Sequence, residues 1–294
     1  MSVREFHYTA RDGIRLAGRA YGARSLPGIP AVCLAGLTRN GMDFDVLARA
    51  LAMHPTNPRR VVTLDMRGRG GSENDPNGTY DVLTEAQDAL DGMLAAGIED
   101  ANMIGTSRGG ILIMAMAAMR PAVLHTVTLN DIGPIIDGAG LMRIRGYLSA
   151  PTPKDWDGAV RTLKQTQGKT FPSLDDAAWQ RFAHAVYRER NGKLEAAHDP
   201  AIHRTLDAVA EGTDPPPMWA AFDGLKAVPM LSIRGERSTL LSAETQALMR
   251  ERHPRCRTIV VPDEGHAPRL EDEPTIAAIG DFLADHDPRR SNPT

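Results

Sequence analysis

The segment Gly105-Thr106-Ser107-Arg108-Gly109 has residue types and spacing that can attach chemistry to a turn. It follows the apolar run Asn102 to Ile104 and precedes a stretch rich in Ile, Leu, Met and Ala, so Ser107 falls where a strand turns sharply into a helix. Such a turn strains the serine backbone, and a side chain at 105 or 109 would collide with the adjoining strand or helix. The helix N-terminus sets the Arg108 N–H beside any negative charge that develops on a group attacked by Ser107. The chemistry this suits is nucleophilic attack by a hydroxyl through a tetrahedral oxyanion. A serine hydroxyl reacts poorly near neutral pH without a base to take its proton, and nine histidines are available. The Arg108 guanidinium has two readings: it could bind a substrate carboxylate, or it could pair with a carboxylate of the chain itself.

These residues need a scaffold, and the apolar pattern describes one. Glu5 to Ala10 and Ile14 to Ala20, around Arg11-Asp12-Gly13, read as an antiparallel hairpin, since Asp-Gly supplies the positive φ of a tight turn. After Pro30, short apolar runs alternate with helical stretches: Ala31 to Ala35, Phe44 to Met53, Val61 to Leu64, Thr84 to Ala96, Asn102 to Thr106, Gly110 to Met119. Val127 to Leu129, Met230 to Ile233 and Thr258 to Val261 continue the strand series, as expected of an α/β fold whose mostly parallel sheet is buried on both faces. From Gly133 to about Pro217 the strand signal stops, and Arg, Trp, His and Ala recur at helical spacing between prolines. The expected organisation is therefore a core domain of residues 1–133 and 217–294 with a helical insertion at 134–216. Pro215-Pro216-Pro217 would serve as its rigid return.

Composition narrows the partners. With 34 basic and 37 acidic residues the formal charge is −3, which lacks the electrostatic footprint of a nucleic-acid or membrane-surface binder. The start, Met1 to Gly13, has no apolar signal region, and the longest apolar run, Ile111 to Met119, is far too short to span a bilayer. A soluble, cytoplasmic protein acting on a small molecule is expected. Cys33 and Cys256 lie in apolar, strand-like runs outside any metal-ligand spacing and read as reduced thiols; no metal or organic cofactor is implied.

Four landmarks together resemble the α/β-hydrolase superfamily, in particular its capped esterases, lactonases and carbon–carbon hydrolases, over nearly the whole chain. They are Gly36-Leu37, the run from Asp65 to Ser72, the turn at Ser107, and Gly265-His266-Ala267-Pro268. The resemblance implies that Ser107 is the nucleophile, that His266 is its base, and that the Leu37 and Arg108 N–H groups form the oxyanion hole. It also implies that the insertion caps the carboxyl ends of the strands. The family usually has His-Gly where this chain has Ala35-Gly36. At the usual place of the triad carboxylate, after the strand at Met230 to Ile233, stands Thr239. Some relatives, certain dehalogenases among them, take the acid from the preceding strand end, which makes Asp131 the chosen acid and Glu236 the next candidate. Asp131 could instead brace the start of the insertion through backbone hydrogen bonds. The activity so implied is hydrolysis of an ester or lactone. The alternatives are hydrolytic carbon–carbon cleavage of a diketone or dienoate, and a ligand-binding protein with weakened catalysis.

Overall fold

The computed structural model describes residues 2–148, 150–207 and 214–288. Strands β1 (Val3–Thr9) and β2 (Arg15–Tyr21) form the expected antiparallel hairpin, with Gly13 at φ +91°. There follow β3 (Gly28–Leu34), α1 (Asp45–Ala52), β4 (Arg59–Asp65), α2 (Val82–Ala96), β5 (Ala101–Thr106), α3 (Arg108–Met119) and β6 (Leu124–Asn130). An excursion contains α4 (Gly138–Leu148), α5 (Trp156–Gln167), α6 (Asp176–Val186), β7 (Tyr187–Arg190), β8 (Lys193–Ala196) and α7 (Trp219–Asp223). The chain then completes the sheet with β9 (Met230–Gly235), α8 (Ala243–Arg252), β10 (Cys256–Val261) and α9 (Glu273–Ala284).

The eight-stranded sheet has the order β1-β2-β4-β3-β5-β6-β9-β10. The β1–β2 and β2–β4 pairs are antiparallel and the others parallel. Every residue of β4 is buried, as a strand covered on both faces requires. One apolar cluster packs Leu90, Met93, Leu112 and Met116 of α2 and α3 on one face. Another packs Leu47, Leu51, Ile279 and Phe282 of α1 and α9 on the opposite face. Removing a ring as buried as Phe282 would cost about 3–5 kcal/mol. Helix α2 is well delimited: the Asp81 carboxylate accepts from the Leu83 and Thr84 N–H groups, and Gly97 closes it at φ +71°.

The excursion is not wholly helical, which corrects the sequence expectation. Asn191 and Gly192, at φ +53° and +72°, turn β7 into β8 as a two-residue hairpin loop, the Asn-Gly signal lying between charged rather than apolar residues. Leu163, Phe171, Trp179 and Phe182 give this region its own apolar cluster. Its two ends meet, since Met218 N–H donates to Pro134 O at 2.7 Å and Gly138 N–H to an Asp214 carboxylate oxygen at 2.8 Å. The three prolines before Met218 lie in irregular chain. Cys33 is buried in β3, Cys256 opens β10 half-buried, and both are free thiols. Among the described residues, no helix is long and apolar enough to cross a membrane.

Candidate active site

Ser107 stands between β5 and α3 at φ +52° and ψ −115°. The steric argument for its flanking glycines holds in detail. A Cβ on Gly109 would lie 2.0 Å from the Leu34 carbonyl oxygen, and one on Gly105 would lie 2.6 Å from the Gly109 carbonyl carbon. Only glycine lets α3 approach β3 and β5 closely enough to aim the Ser107 hydroxyl out of the turn.

His266, in the loop after β10, approaches from the other side. With the proton on Nδ1, its Nε2 accepts from Ser107 Oγ at 2.9 Å and its Nδ1–H donates to Asp131 Oδ2 at 2.8 Å. The β6–β9 register decides which carboxylate is there. Asn130 pairs with Ile233, so Asp131, the next residue, meets the end of β9. Its N–H donates to Ile233 O at 2.7 Å, its Oδ1 accepts from Gly235 N–H at 2.8 Å, and its Oδ2 also accepts from Ser238 Oγ at 2.6 Å. Asp131 is fully buried, and these donors fix its carboxyl group in place, aimed at the imidazole. The bracing role open to Asp131 is thus present together with the histidine contact. Thr239 is exposed, and Glu236 is exposed with its Oε2 accepting from Asp263 N–H at 3.0 Å, so neither faces His266. Ser238, given no role in the sequence reading, is the hydroxyl that positions Asp131. Asn130 secures the histidine loop by donating from Nδ2 to Pro268 O at 2.8 Å.

On the far side of Ser107 lies the loop carrying Gly36 and Leu37. A Cβ built on Gly36 would be 3.8 Å from Ser107 Cβ, so this loop borders the hydroxyl. The Leu37 carbonyl accepts from Arg69 Nε at 2.7 Å, which turns it away and fixes its peptide. Arg69 Nη1 donates to Glu85 Oε1 at 2.5 Å, and Glu85 Oε2 accepts from Arg108 Nε at 2.8 Å. One fully buried carboxylate on α2 therefore ties the Leu37 loop to the residue after Ser107. Of the two readings open to the Arg108 guanidinium, this geometry shows the pairing with a carboxylate of the chain and not a place in the substrate cavity. Its guanidinium is 15 % exposed, is held by Glu85 and by the Tyr80 carbonyl at 2.8 Å, and is not part of the cavity wall. The run from Asp65 to Ser72 is a turn after β4, and Arg69 within it supports the Leu37 loop. Only the fold could reveal that link, because Arg69, Glu85 and Leu37 lie on three separate segments.

The Ser107 hydroxyl opens on a cavity of about 250 Å³ walled by the strand-end loops and by the excursion. Leu37, Ile144, Leu148, Leu163 and Phe171 make much of it apolar, and Arg39, Arg269, Tyr147 and Tyr187 add polar ends. His198 and His203 also reach its wall, with their Nε2 atoms 2.8 Å apart. Burial, aided by the neighbouring His203, pushes His198 down to about 4, so this pair is neutral near pH 7. No cluster of metal-ligating side chains occurs among the described residues.

Known proteins resemble this chain in sequence and fold. A model of the "Alpha/beta hydrolase family" matches residues 31–278. The chain is 32 % identical over 281 residues to a 3-hydroxybutyrate-oligomer hydrolase of Cupriavidus necator, spanning 92 % of each chain. It is 26 % identical to an sn-1-specific diacylglycerol lipase of Mus musculus, over 90 % of this chain and 83 % of that one. A crystal structure of an alpha/beta hydrolase from Novosphingobium aromaticivorans superposes with a TM-score of 0.85 at 37 % identity, covering 96 % of this chain and 98 % of that one. The fold, the sheet order and these likenesses agree: the chain belongs to the alpha/beta hydrolase family.

Proposed function

We propose that this hydrolase cleaves a carboxylic ester or lactone through an acyl-enzyme formed on Ser107. The observation that carries the reading is the continuous chain Ser107 Oγ to His266 Nε2 to Asp131, at 2.9 Å and 2.8 Å, opening on the cavity. Ser107 Oγ attacks the ester carbonyl as its proton passes to His266 Nε2. The Leu37 and Arg108 N–H groups receive the oxyanion, and buried Asp131 stabilises the imidazolium. His266 then returns the proton to the leaving alkoxide, and the acyl group stays on Ser107. A water deprotonated by His266 attacks that acyl carbon, and collapse of the second tetrahedral intermediate releases the acid and restores the serine. The excursion between β6 and β9 serves as a cap that limits water around the ester. These steps use the chain's own residues and one water. A relative with 3-hydroxybutyrate-oligomer hydrolase activity supports ester cleavage over carbon–carbon cleavage.

The test is steady-state turnover of 4-nitrophenyl butyrate by the wild type and Ser107→Ala, with fluorophosphonate labelling alongside. Turnover and stoichiometric labelling, both lost in Ser107→Ala, are expected. Turnover retained in the variant would refute the nucleophile, and labelling without turnover would point to the ligand-binding alternative.

A further inference from the structure

We propose that Arg39 and Arg269 form a carboxylate-binding subsite beside Ser107, so that the ester taken up is one that carries a free carboxylate. This deepens the ester-hydrolase reading and rests on it.

Two guanidiniums converge in the cavity wall from separate segments. Arg39 lies in the loop that follows Leu37, and Arg269 lies just after His266. Their Cζ atoms stand 4.7 Å and 4.8 Å from the centroid of the same Phe182 ring, so both guanidiniums are held against one aromatic side chain of the wall. A Cβ at Gly36 would touch Arg39 Cγ at 3.4 Å and Ser107 Cβ at 3.8 Å. The arginine stem thus starts next to the nucleophile, and its head lies a few bonds' length away.

Each arginine has a carboxylate partner. Asp43 holds Arg39 bidentately, at Nε at 2.8 Å and at Nη2. Glu271 accepts from Arg269 Nη2 but also holds Arg181, at 2.8 Å, so one carboxylate serves two guanidiniums. Buried Glu264, whose Oε2 accepts from Arg269 N–H at 2.7 Å, is a further carboxylate beside Arg269, and the histidines of the wall add no negative charge. Arg269 lines the cavity with a side chain only 9 % exposed, and its Nε, closed off from solvent, has no hydrogen-bond partner within the protein. A buried donor left unpaired is costly, and a planar carboxylate is the acceptor a guanidinium edge fits. Tyr147 and Tyr187, held neutral by burial and near Arg39, can donate to the same anion. The apolar remainder of the wall suits a short chain between that anion and the ester.

The experiment compares matched esters that differ in the carboxylate. One arm sets 4-nitrophenyl hemiglutarate against 4-nitrophenyl pentanoate, with the anion on the acyl side. The other sets the linear dimer of 3-hydroxybutyric acid against its methyl ester, with the anion on the alcohol side. The quantity read is the acid-to-neutral ratio of kcat/KM. At least one arm should favour the acid, and Arg269→Leu and Arg39→Gln should each lower that ratio by about ten- to a hundredfold. Arg269→Lys should recover part of it. Acid and neutral esters falling together, with an unchanged ratio, would overturn the subsite and leave only a packing role. If no ester turns over, the ester-hydrolase reading fails, and calorimetric binding of glutarate to the wild type and Arg269→Leu decides the subsite separately. Arginine-dependent binding would sustain it, and equal or absent binding would end it.

Discussion

Asp131→Asn is the most searching perturbation of the site because it keeps shape and changes hydrogen-bond polarity at one oxygen. The Asn Oδ1 can still accept from Gly235 N–H, where the wild type has a 2.8 Å contact. That choice puts the amide NH2 at the position of Oδ2, which now accepts from both His266 Nδ1 and Ser238 Oγ. The Ser238 hydroxyl, which already accepts from the Leu240 and Leu241 N–H groups, loses its acceptor, and His266 must lose its Nδ1 proton and carry it on Nε2. An Nε2–H donates to Ser107 Oγ instead of accepting from it, so the base is in the wrong tautomer for attack. The imidazolium also loses its buried counter-charge. In serine proteases the same carboxylate-to-amide change costs about 10⁴ in kcat, which corresponds to about 5 kcal/mol of barrier. A loss of that order is expected here in steady-state turnover of 4-nitrophenyl butyrate and in the rate of fluorophosphonate labelling, with an unchanged circular dichroism spectrum. Turnover within about tenfold of wild type would refute the assignment of Asp131. Thr239→Asp is the paired control: position 239 is exposed, so its turnover should match wild type.

Other outcomes follow from buried groups around the site. Glu85→Ala leaves the Arg69 and Arg108 guanidiniums without their shared carboxylate and should lower stability by about 3–5 kcal/mol, read as a shift in the urea midpoint; a shift within error would show that the bridge does not hold the loop. Gly109→Ala should yield no soluble folded protein, because its Cβ has a backbone oxygen at 2.0 Å, and a normal expression and melting profile would contradict the close approach of α3 to β3. His198 is held down to about 4 by burial, so between roughly pH 6.5 and that value the unfolded chain binds the extra proton. Stability should fall as pH drops through this window and should fall less in His198→Gln, on the order of 1–3 kcal/mol; parallel pH profiles for the two proteins would show that the residue titrates normally.

What the sequence determined by itself is what short-range sterics and apolar patterning control. The strands were legible because a parallel strand covered on both faces must be an apolar run, as Val61 to Leu64 and Met230 to Ile233 are. Ser107 was legible because the demand for glycine at 105 and 109 arises within one tight turn, and His266 because its loop follows the last strand directly. The hairpin at Asn191-Gly192 was hidden by its charged flanks, although the turn residues themselves signalled it. The tertiary structure alone decided the rest, since each remaining question concerned which of several polar groups meets a given partner. Asp131 rather than Glu236 or Thr239 reaches His266 because β6 and β9 end side by side in one register. The Arg108 side chain turns from the cavity because a buried glutamate on α2 waits beneath it. Arg39 and Arg269 share one aromatic ring although 230 positions separate them in the chain, 269 minus 39. A charged side chain has many possible partners along a sequence, and burial selects among them only once the chain has folded.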